Sequence, residues 1–175
     1  MSALSARHVW TYRLLFVLVC LVLITLKLLP LNLADRGVPG PDLLLLLAFA
    51  WMVRQPAVVP LGILLLVFLL ADFLFQRPPG LWTLLVIFAS EYLRRRRLAM
   101  TEFPFLVEWG AVAIAVMGMV LLNRLVLWIL LVDLDPLGLT LVQGIVTIVT
   151  YPIVVAVSKY IFGLRKLGPA ELEAL

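Results

Sequence analysis

The sequence predicts an all-α protein that crosses a membrane six times. Of its 175 residues, 65% are hydrophobic and 14% are charged, and the mean hydropathy is +1.17. Soluble proteins are about 45–50% apolar, so this composition excludes a water-soluble fold. Apolar segments of helical length alternate with proline, glycine and charged residues, which is typical of a polytopic membrane protein.

The six predicted spans form one membrane domain that covers residues 1–175. They are residues 14–29, 41–53, 57–75, 79–93, 103–123 and 137–162. A helix needs about 20 residues to cross the hydrocarbon core. The second and fourth spans are shorter than this, so they need their flanking residues or a thinned bilayer.

The first span is flanked by residues that suit a membrane interface. Trp10 and Tyr12 precede it, Pro30 follows it, and Lys27 lies close enough to its end to reach the headgroups. A cleaved signal peptide is the alternative interpretation. No small-residue cleavage site precedes Pro30, which favours a retained helix.

Prolines and charges predict where the next spans begin and end. Pro60 falls in the first turn of the third span, where a missing N–H removes no hydrogen bond. Pro78, Pro79 and Gly80 predict a turn before the fourth span. The apolar sequence of the fourth span stops at the four arginines at 94–97.

The last two spans are predicted to be irregular. The apolar sequence of the fifth continues to Val132, about 45 Å if it is wholly helical, so a break is predicted at Asn123 and Arg124. Pro152 lies inside the sixth span and is predicted to kink it near Ile148.

Basic residues predict the orientation, because cytoplasmic loops carry an excess of lysine and arginine. With both termini in the cytoplasm, ten of the fourteen basic residues lie on that side: Arg7, Arg13, Arg54, Arg94, Arg95, Arg96, Arg97, Lys159, Arg165 and Lys166. The external segments contain Arg36 and Arg77, while Lys27 and Arg124 lie near membrane depth.

Motifs for catalysis and cofactor binding are missing from the sequence. It contains no phosphate-binding G-x-x-x-x-G-K-S/T, no G-x-S-x-G and no H-E-x-x-H. With one histidine, His8, and one cysteine, Cys20, an imidazole metal site and an intramolecular disulfide are excluded. We therefore expect a non-enzymatic protein without metal or cofactor. The arginine run beside a membrane exit is interpreted as a determinant of topology in contact with anionic lipids, not as a nucleic-acid site. Docking of a cytoplasmic protein is the alternative.

Charged residues near membrane depth form two predicted clusters. The external cluster contains Asp42, Asp72 and Arg77, with Arg124 and Asp133 as further candidates, and the cytoplasmic one contains Arg54, Glu91, Arg94 and Glu108. In the favoured interpretation, carboxylates pair with neighbouring arginines and fix the ends of short helices. In the other, the clusters line a polar groove for a partner helix or a ligand, because charges are retained at such depth at a cost.

Small and polar residues also mark one face on each of the last two spans. They are Ala111, Ala115 and Gly118 on the fifth span, and Thr140, Gly144, Thr147 and Tyr151 on the sixth. Such faces permit close helix packing, either within the chain or with a partner.

Several of these residues follow a recognisable order. Pro41-Asp42 precedes a leucine run with Trp51, Arg54 and Pro56, and Asp72-Phe-Leu-Phe-Gln-Arg77-Pro78-Pro79-Gly80 follows. Glu91-Tyr-Leu-Arg94 and Glu108-Trp109 come next. In this order and spacing, the chain resembles the bacterial rod shape-determining MreD family, particularly its alphaproteobacterial form. The motifs lie between residues 41 and 110, and the length and six-span layout match over the whole chain.

The resemblance implies a multi-pass inner-membrane component of the cell-elongation complex, which supports lateral peptidoglycan synthesis. Members of the family bind MreC, and through it MreB and the peptidoglycan synthases RodA and PBP2. The implied fold is similar to the six-helix substrate-binding subunits of vitamin transporters. The residues expected to fix the short helices and shape a partner-binding surface are Asp42, Trp51, Arg54, Asp72, Arg77, Pro78, Gly80, Glu91, Arg94 and Glu108.

Two other functions stay open at this point. The six-helix plan and the charges at membrane depth also suit a small-molecule-binding membrane subunit of a transporter. A membrane enzyme of lipid metabolism is less favoured, because it needs clustered carboxylates on a cytoplasmic loop, and the sizeable cytoplasmic loop here is rich in arginine.

Overall fold

Six α-helices and no β-strand make up the part of the chain that the computed structural model describes, residues 6–29, 40–102, 105–132 and 136–163. The helices are α1 (Ala6–Leu28), α2 (Leu43–Arg54), α3 (Leu61–Leu74), α4 (Leu81–Glu102), α5 (Phe105–Ile129) and α6 (Leu137–Phe162). The predicted all-α fold is confirmed. Outside the described residues lie Pro30, Arg36, Asp133, Arg165 and Lys166, together with the side chains of Arg7, His8 and Arg97.

Three helices are long and apolar enough to cross a membrane. They are the stretch Val9–Leu28 of α1, and α5 and α6 over their full lengths. Their apolar surfaces are largely exposed on the bundle, which is consistent with membrane association. Helices α2 and α3 are shorter apolar helices.

Consecutive helices run in opposite directions, so the helix ends collect at two opposite ends of the bundle. At one end, the last turn of α1 meets the start of α2, where Lys27 Nζ lies 3.9 Å from Asp42 Oδ2. The Lys27 ammonium also lies 4.7 Å from the ring centre of Phe75, just after α3. We call this end, where α1, α3 and α5 finish, the Asp42 end.

At the other end, the start of α1 meets the loop between α2 and α3, because the Arg13 guanidinium donates to the carbonyl of Ala57 at 2.9 and 3.2 Å. The Tyr12 hydroxyl donates to the carbonyl of Phe162, the last residue of α6, at 3.3 Å. We call this end, where α2, α4 and α6 finish, the Arg54 end.

Helix α2 lies at the centre of the bundle. All of its residues from Leu44 to Arg54 are buried, and it contacts α1, α4 and α6. Trp51 is fully buried, with its ring centre 5.4 Å from that of Phe16 and 5.2 Å from that of Phe162. A helix that is apolar all round belongs in a core. The short α2 is therefore surrounded by other helices of the same chain, and its 12 residues are long enough for this buried position.

Two helices extend beyond the predicted spans, because apolar sequence ends before the helix does. Helix α4 continues through the arginine run to Glu102, since arginine is a good helix former and Arg95 Nε lies 3.0 Å from Glu91 Oε1 one turn away. Helix α5 continues to Ile129 without the predicted break. The Arg124 guanidinium donates to Thr140 Oγ1 on α6 at 3.1 Å, which gives this polar group a partner within the bundle.

The remaining helix starts also differ slightly from the predicted spans. Helix α1 begins at Ala6, before its apolar stretch. Pro60 is the N-cap of α3 and not a residue of its first turn.

Packing within the chain uses the small-residue faces of α5 and α6. Ala111, Ala115, Thr147 and Tyr151 are buried, and a Cβ atom added at Gly144 would lie 3.7 Å from the side chains of both Met117 and Val120. This is an ordinary contact distance, and nothing lies within 4 Å of a Cβ atom added at Gly118, so the two helices pack through these faces without requiring glycine at either position.

Candidate functional site

Asp42 caps α2 and connects three helices. Its Oδ1 accepts a hydrogen bond from the Leu45 N–H at 3.2 Å, and an aspartate in this position stabilises a helix by about 0.5–2 kcal/mol relative to alanine. The backbone N–H of Asp42 donates to Thr147 Oγ1 on α6 at 3.1 Å. With Lys27 of α1 beside its other oxygen, Asp42 fixes where α2 begins in the bundle.

Asp72 is fully buried near the end of α3 and caps a different helix, α4. Its Oδ2 accepts from the Gly80 N–H at 3.1 Å, from the Thr83 N–H at 3.1 Å and from the Thr83 hydroxyl at 2.7 Å. The carboxylate thus satisfies N–H groups that a helix start leaves without intrahelical partners, and its charge suits that end of the helix. Gly80 has a φ of +87°, which favours glycine in the turn.

Arg77 does not pair with Asp72, although both were predicted in one external cluster. The Arg77 guanidinium carbon lies 5.4 Å from the ring centre of Phe75 and 5.3 Å from that of Trp82. The chain turns between the two charged residues, because Gln76 has a φ of +53° and the Arg77 N–H donates to the Asp72 carbonyl. Asp72 therefore faces the start of α4, while Arg77 stacks on aromatic rings.

A polar cavity of about 250 Å³ lies at the Asp42 end, between α2, α4, α5 and α6. Its polar lining includes Asp42, Arg77, Asn123, Arg124, Gln143 and Thr147, and its apolar lining includes Pro78 and Trp82. Two members of the predicted external cluster, Asp42 and Arg77, thus line one cavity. The charged side chains among the described lining residues are one carboxylate and two guanidinium groups. This arrangement can accept an anionic group.

A buried ion pair lies towards the Arg54 end. Glu108 Oε1 accepts from the Arg54 guanidinium at 3.0 Å and from the Tyr151 hydroxyl at 2.7 Å. Arg54 is 6% exposed, and Glu108 and Tyr151 are fully buried. The same guanidinium nitrogen donates to the Ala50 carbonyl at 3.2 Å. The cluster ties α2, α5 and α6 together, and in this case the predicted pairing of a carboxylate with an arginine is observed.

The other two residues of the predicted cytoplasmic cluster separate. Glu91 pairs with Arg95 on the exposed side of α4. Arg94 points to the loop between α2 and α3, where it donates to the Val59 carbonyl at 3.1 Å. Arg94 therefore holds that loop against α4 and is not part of the buried ion pair.

Pro152 leaves one carbonyl of α6 without its usual donor, and α5 supplies a replacement. A proline has no N–H for the carbonyl four residues earlier, which is that of Ile148. The indole Nε1 of Trp109 donates to this carbonyl at 2.9 Å. Helix α6 is continuous through Pro152. The residue near which a kink was predicted, Ile148, is the residue that α5 contacts by this hydrogen bond.

Four residues with structural roles at these sites were not predicted as site residues: Thr83, Trp109, Thr147 and Tyr151. Each carries a hydrogen-bonding group inside an apolar helical segment, which is the signal available in the sequence, since such groups require partners when buried. Among the described residues, no group of three or more histidine, cysteine, aspartate or glutamate side chains is placed to hold a metal ion.

Comparisons with known proteins identified no relative of the chain. No family model matches the chain, and neither the curated proteins nor the solved structures provide a match.

Proposed function

We propose that the chain is a non-enzymatic scaffold subunit of the bacterial cell-elongation complex in the inner membrane. In this role it binds MreC directly, shares a complex with MreB, RodA and PBP2, and supports lateral peptidoglycan synthesis. The observation that carries the proposal is the ordered motif set between residues 41 and 110, which resembles the MreD family. The motif residues Asp42, Asp72, Arg54 and Glu108 are buried at contacts between helices, as suits residues that fix a binding surface.

The proposal includes six membrane crossings, with the Arg54 end in the cytoplasm. The alternating direction of the helices supports it, because both described termini, at the start of α1 and the end of α6, then lie on one side. Arg13, Arg54 and the described arginines of α4 all lie at the Arg54 end, in agreement with the positive-inside rule.

Co-purification tests the partner. The tagged protein would be isolated from its native host in mild detergent, and the accompanying proteins would be identified by mass spectrometry. Recovery of MreC with the elongation synthases is the expected result. Isolation with a transporter ATPase, and without MreC, would contradict the scaffold function.

A substitution at Asp72 tests whether the start of α4 contributes to the surface that binds the partner. We expect Asp72→Ala to reduce MreC recovery several-fold at equal expression, because the start of α4 loses the acceptor of three hydrogen bonds. Arg95→Ala is the matched control, since it removes an exposed ion pair on the same helix and such pairs contribute about 0–1 kcal/mol. Unchanged recovery with Asp72→Ala would mean that this contact does not shape the partner surface.

A second candidate function is a small-molecule-binding membrane subunit of a transporter. The polar cavity at the Asp42 end favours it, although its volume of about 250 Å³ is just below the range of about 300–1,000 Å³ typical of ligand pockets. A tightly bound soluble ligand recovered with the purified protein, and a thermal shift that grows with the logarithm of its concentration, would support this candidate over the scaffold.

A further inference from the structure

The Arg77 guanidinium is held in the cavity by aromatic rings. It lies against Phe75 and Trp82, and no described carboxylate forms an ion pair with it. Stacking on ring faces fixes a guanidinium while its N–H groups, which lie in its plane, stay able to donate at the edges. The cavity therefore contains a positioned donor group suited to an anion.

More positive charge lies close to this guanidinium. The Lys27 ammonium lies 4.7 Å from the centre of the same Phe75 ring and 3.9 Å from the Asp42 carboxylate. The one carboxylate among the described lining residues thus has a lysine beside it. Among the described residues at this end, the cations Lys27, Arg77 and Arg124 outnumber the carboxylates Asp42 and Asp72, which favours an anion over a cation.

A shallow, largely apolar groove on the surface of α5 adjoins the cavity at Arg124. It is lined by Leu121, Leu125, Trp128 and Leu137, and these four side chains are each half exposed or more. Arg124 lines both the cavity and the groove. The charged cavity and the apolar groove are thus adjacent, which suits a molecule with an anionic head and an apolar tail.

We propose that the Asp42 end binds one anionic phospholipid, with its phosphate in the cavity against Arg77 and an acyl chain along the groove beside Trp128. The cavity of about 250 Å³ has room for a headgroup, and the acyl chains must leave it through the apolar side. Guanidinium groups bind phosphate through paired, charge-assisted hydrogen bonds, and tryptophan is enriched at the depth of lipid headgroups. This inference stands without the scaffold function, because it depends only on the residues of the cavity and groove.

Native mass spectrometry of the full chain tests the lipid. The protein would be exchanged into micelles that contain equal amounts of phosphatidylglycerol and phosphatidylcholine with identical acyl chains. Both lipids carry a phosphate, but phosphatidylcholine adds a positive charge that would lie beside Lys27, Arg77 and Arg124. We therefore expect the first bound lipid to be phosphatidylglycerol by about tenfold. Equal retention of the two lipids by the wild-type protein would overturn the proposal.

Two variants locate the site. Arg77→Ala is expected to lower the preference to near parity, whereas Arg96→Ala is expected to keep it. Arg96 is the matched control, because its guanidinium carbon also lies over a ring, 5.0 Å from the centre of Tyr92, but on α4 at the opposite end. Equal losses in the two variants would overturn the assigned site. If Arg77→Ala does not fold, Arg77→Gln keeps the approximate size of the side chain while removing its charge.

Inorganic phosphate distinguishes a lipid from a free anion. We expect phosphatidylglycerol to raise the unfolding temperature of the wild-type protein, and this shift to be lost in Arg77→Ala. Inorganic phosphate alone should give little shift, because it cannot occupy the groove. An equal shift with phosphate alone would overturn the proposal of a lipid site and indicate a site for a simple anion.

Discussion

At the scale of single residues, the three carboxylates that are buried in the described part of the chain have different partners. Asp42 caps its own helix, Asp72 caps the next helix, and Glu108 accepts from a guanidinium and a phenol. Their positions near helix ends, at the edges of membrane depth, were predicted from the apolar sequence around them. Their partners were not, because the rotation of each helix decides which neighbours a side chain meets. Asp72 and Arg77 are close in sequence, yet a turn between them separates their side chains.

The buried ion pair gives a prediction at the same scale. Glu108→Ala should lower the free energy of unfolding by about 3–5 kcal/mol, because it leaves the buried Arg54 charge without a carboxylate. Unfolding in mixed detergent micelles would measure the loss. Glu91→Ala should cost less than about 1 kcal/mol, because its ion pair is exposed. Equal costs for the two variants would show that Arg54 finds another partner.

At the scale of elements, the sequence predicted the number and order of the helices, and two of the helices extend beyond the predicted spans. Hydropathy detects where apolar sequence stops, whereas a helix ends where its backbone hydrogen bonds end. The arginine run in α4 and Arg124 in α5 are polar but compatible with a helix, so both helices continue. The central place of α2 was also not predicted, because a uniformly apolar segment fits lipid and a protein core equally well.

The contact between α5 and α6 gives a prediction for these two elements. Trp109→Phe should destabilise the bundle by about 1–3 kcal/mol, because the Ile148 carbonyl loses its donor. In a Pro152→Ala background the same substitution should cost less, since the alanine backbone supplies the missing N–H. A double-mutant cycle measures this difference. An equal cost in both backgrounds would mean that Trp109 acts through packing alone.

At the scale of the whole molecule, polar side chains are sorted between two ends of an apolar bundle. The Asp42 end has a cavity and aromatic rings in cation–π contact with lysine and arginine. The Arg54 end has guanidinium groups that donate hydrogen bonds to loop carbonyls and to a buried glutamate. This sorting follows from alternating helices, each with its charges near its ends. Charge counting along the sequence predicted the two groups, but not that two of the external residues would share a cavity.

Labelling of single cysteines tests the proposed orientation. Cys20 is fully buried and gives little background. In spheroplasts, a membrane-impermeant maleimide should label Pro79→Cys, in the exposed turn at the Asp42 end. It should label Arg96→Cys only after the membrane is permeabilised. Labelling of both positions in intact spheroplasts would contradict the orientation.

The enclosure of α2 has a consequence for how the protein is made. In the proposed bilayer setting, α2 leaves the ribosome before α4 and α6, which later surround it. Until α5 arrives, the Arg54 guanidinium lacks Glu108, and until α6 arrives, the Asp42 N–H lacks Thr147. A nascent chain that stops before α6 therefore leaves a polar group of α2 without its partner, which costs stability. Helix α6 completes contacts that α2 needs from the start.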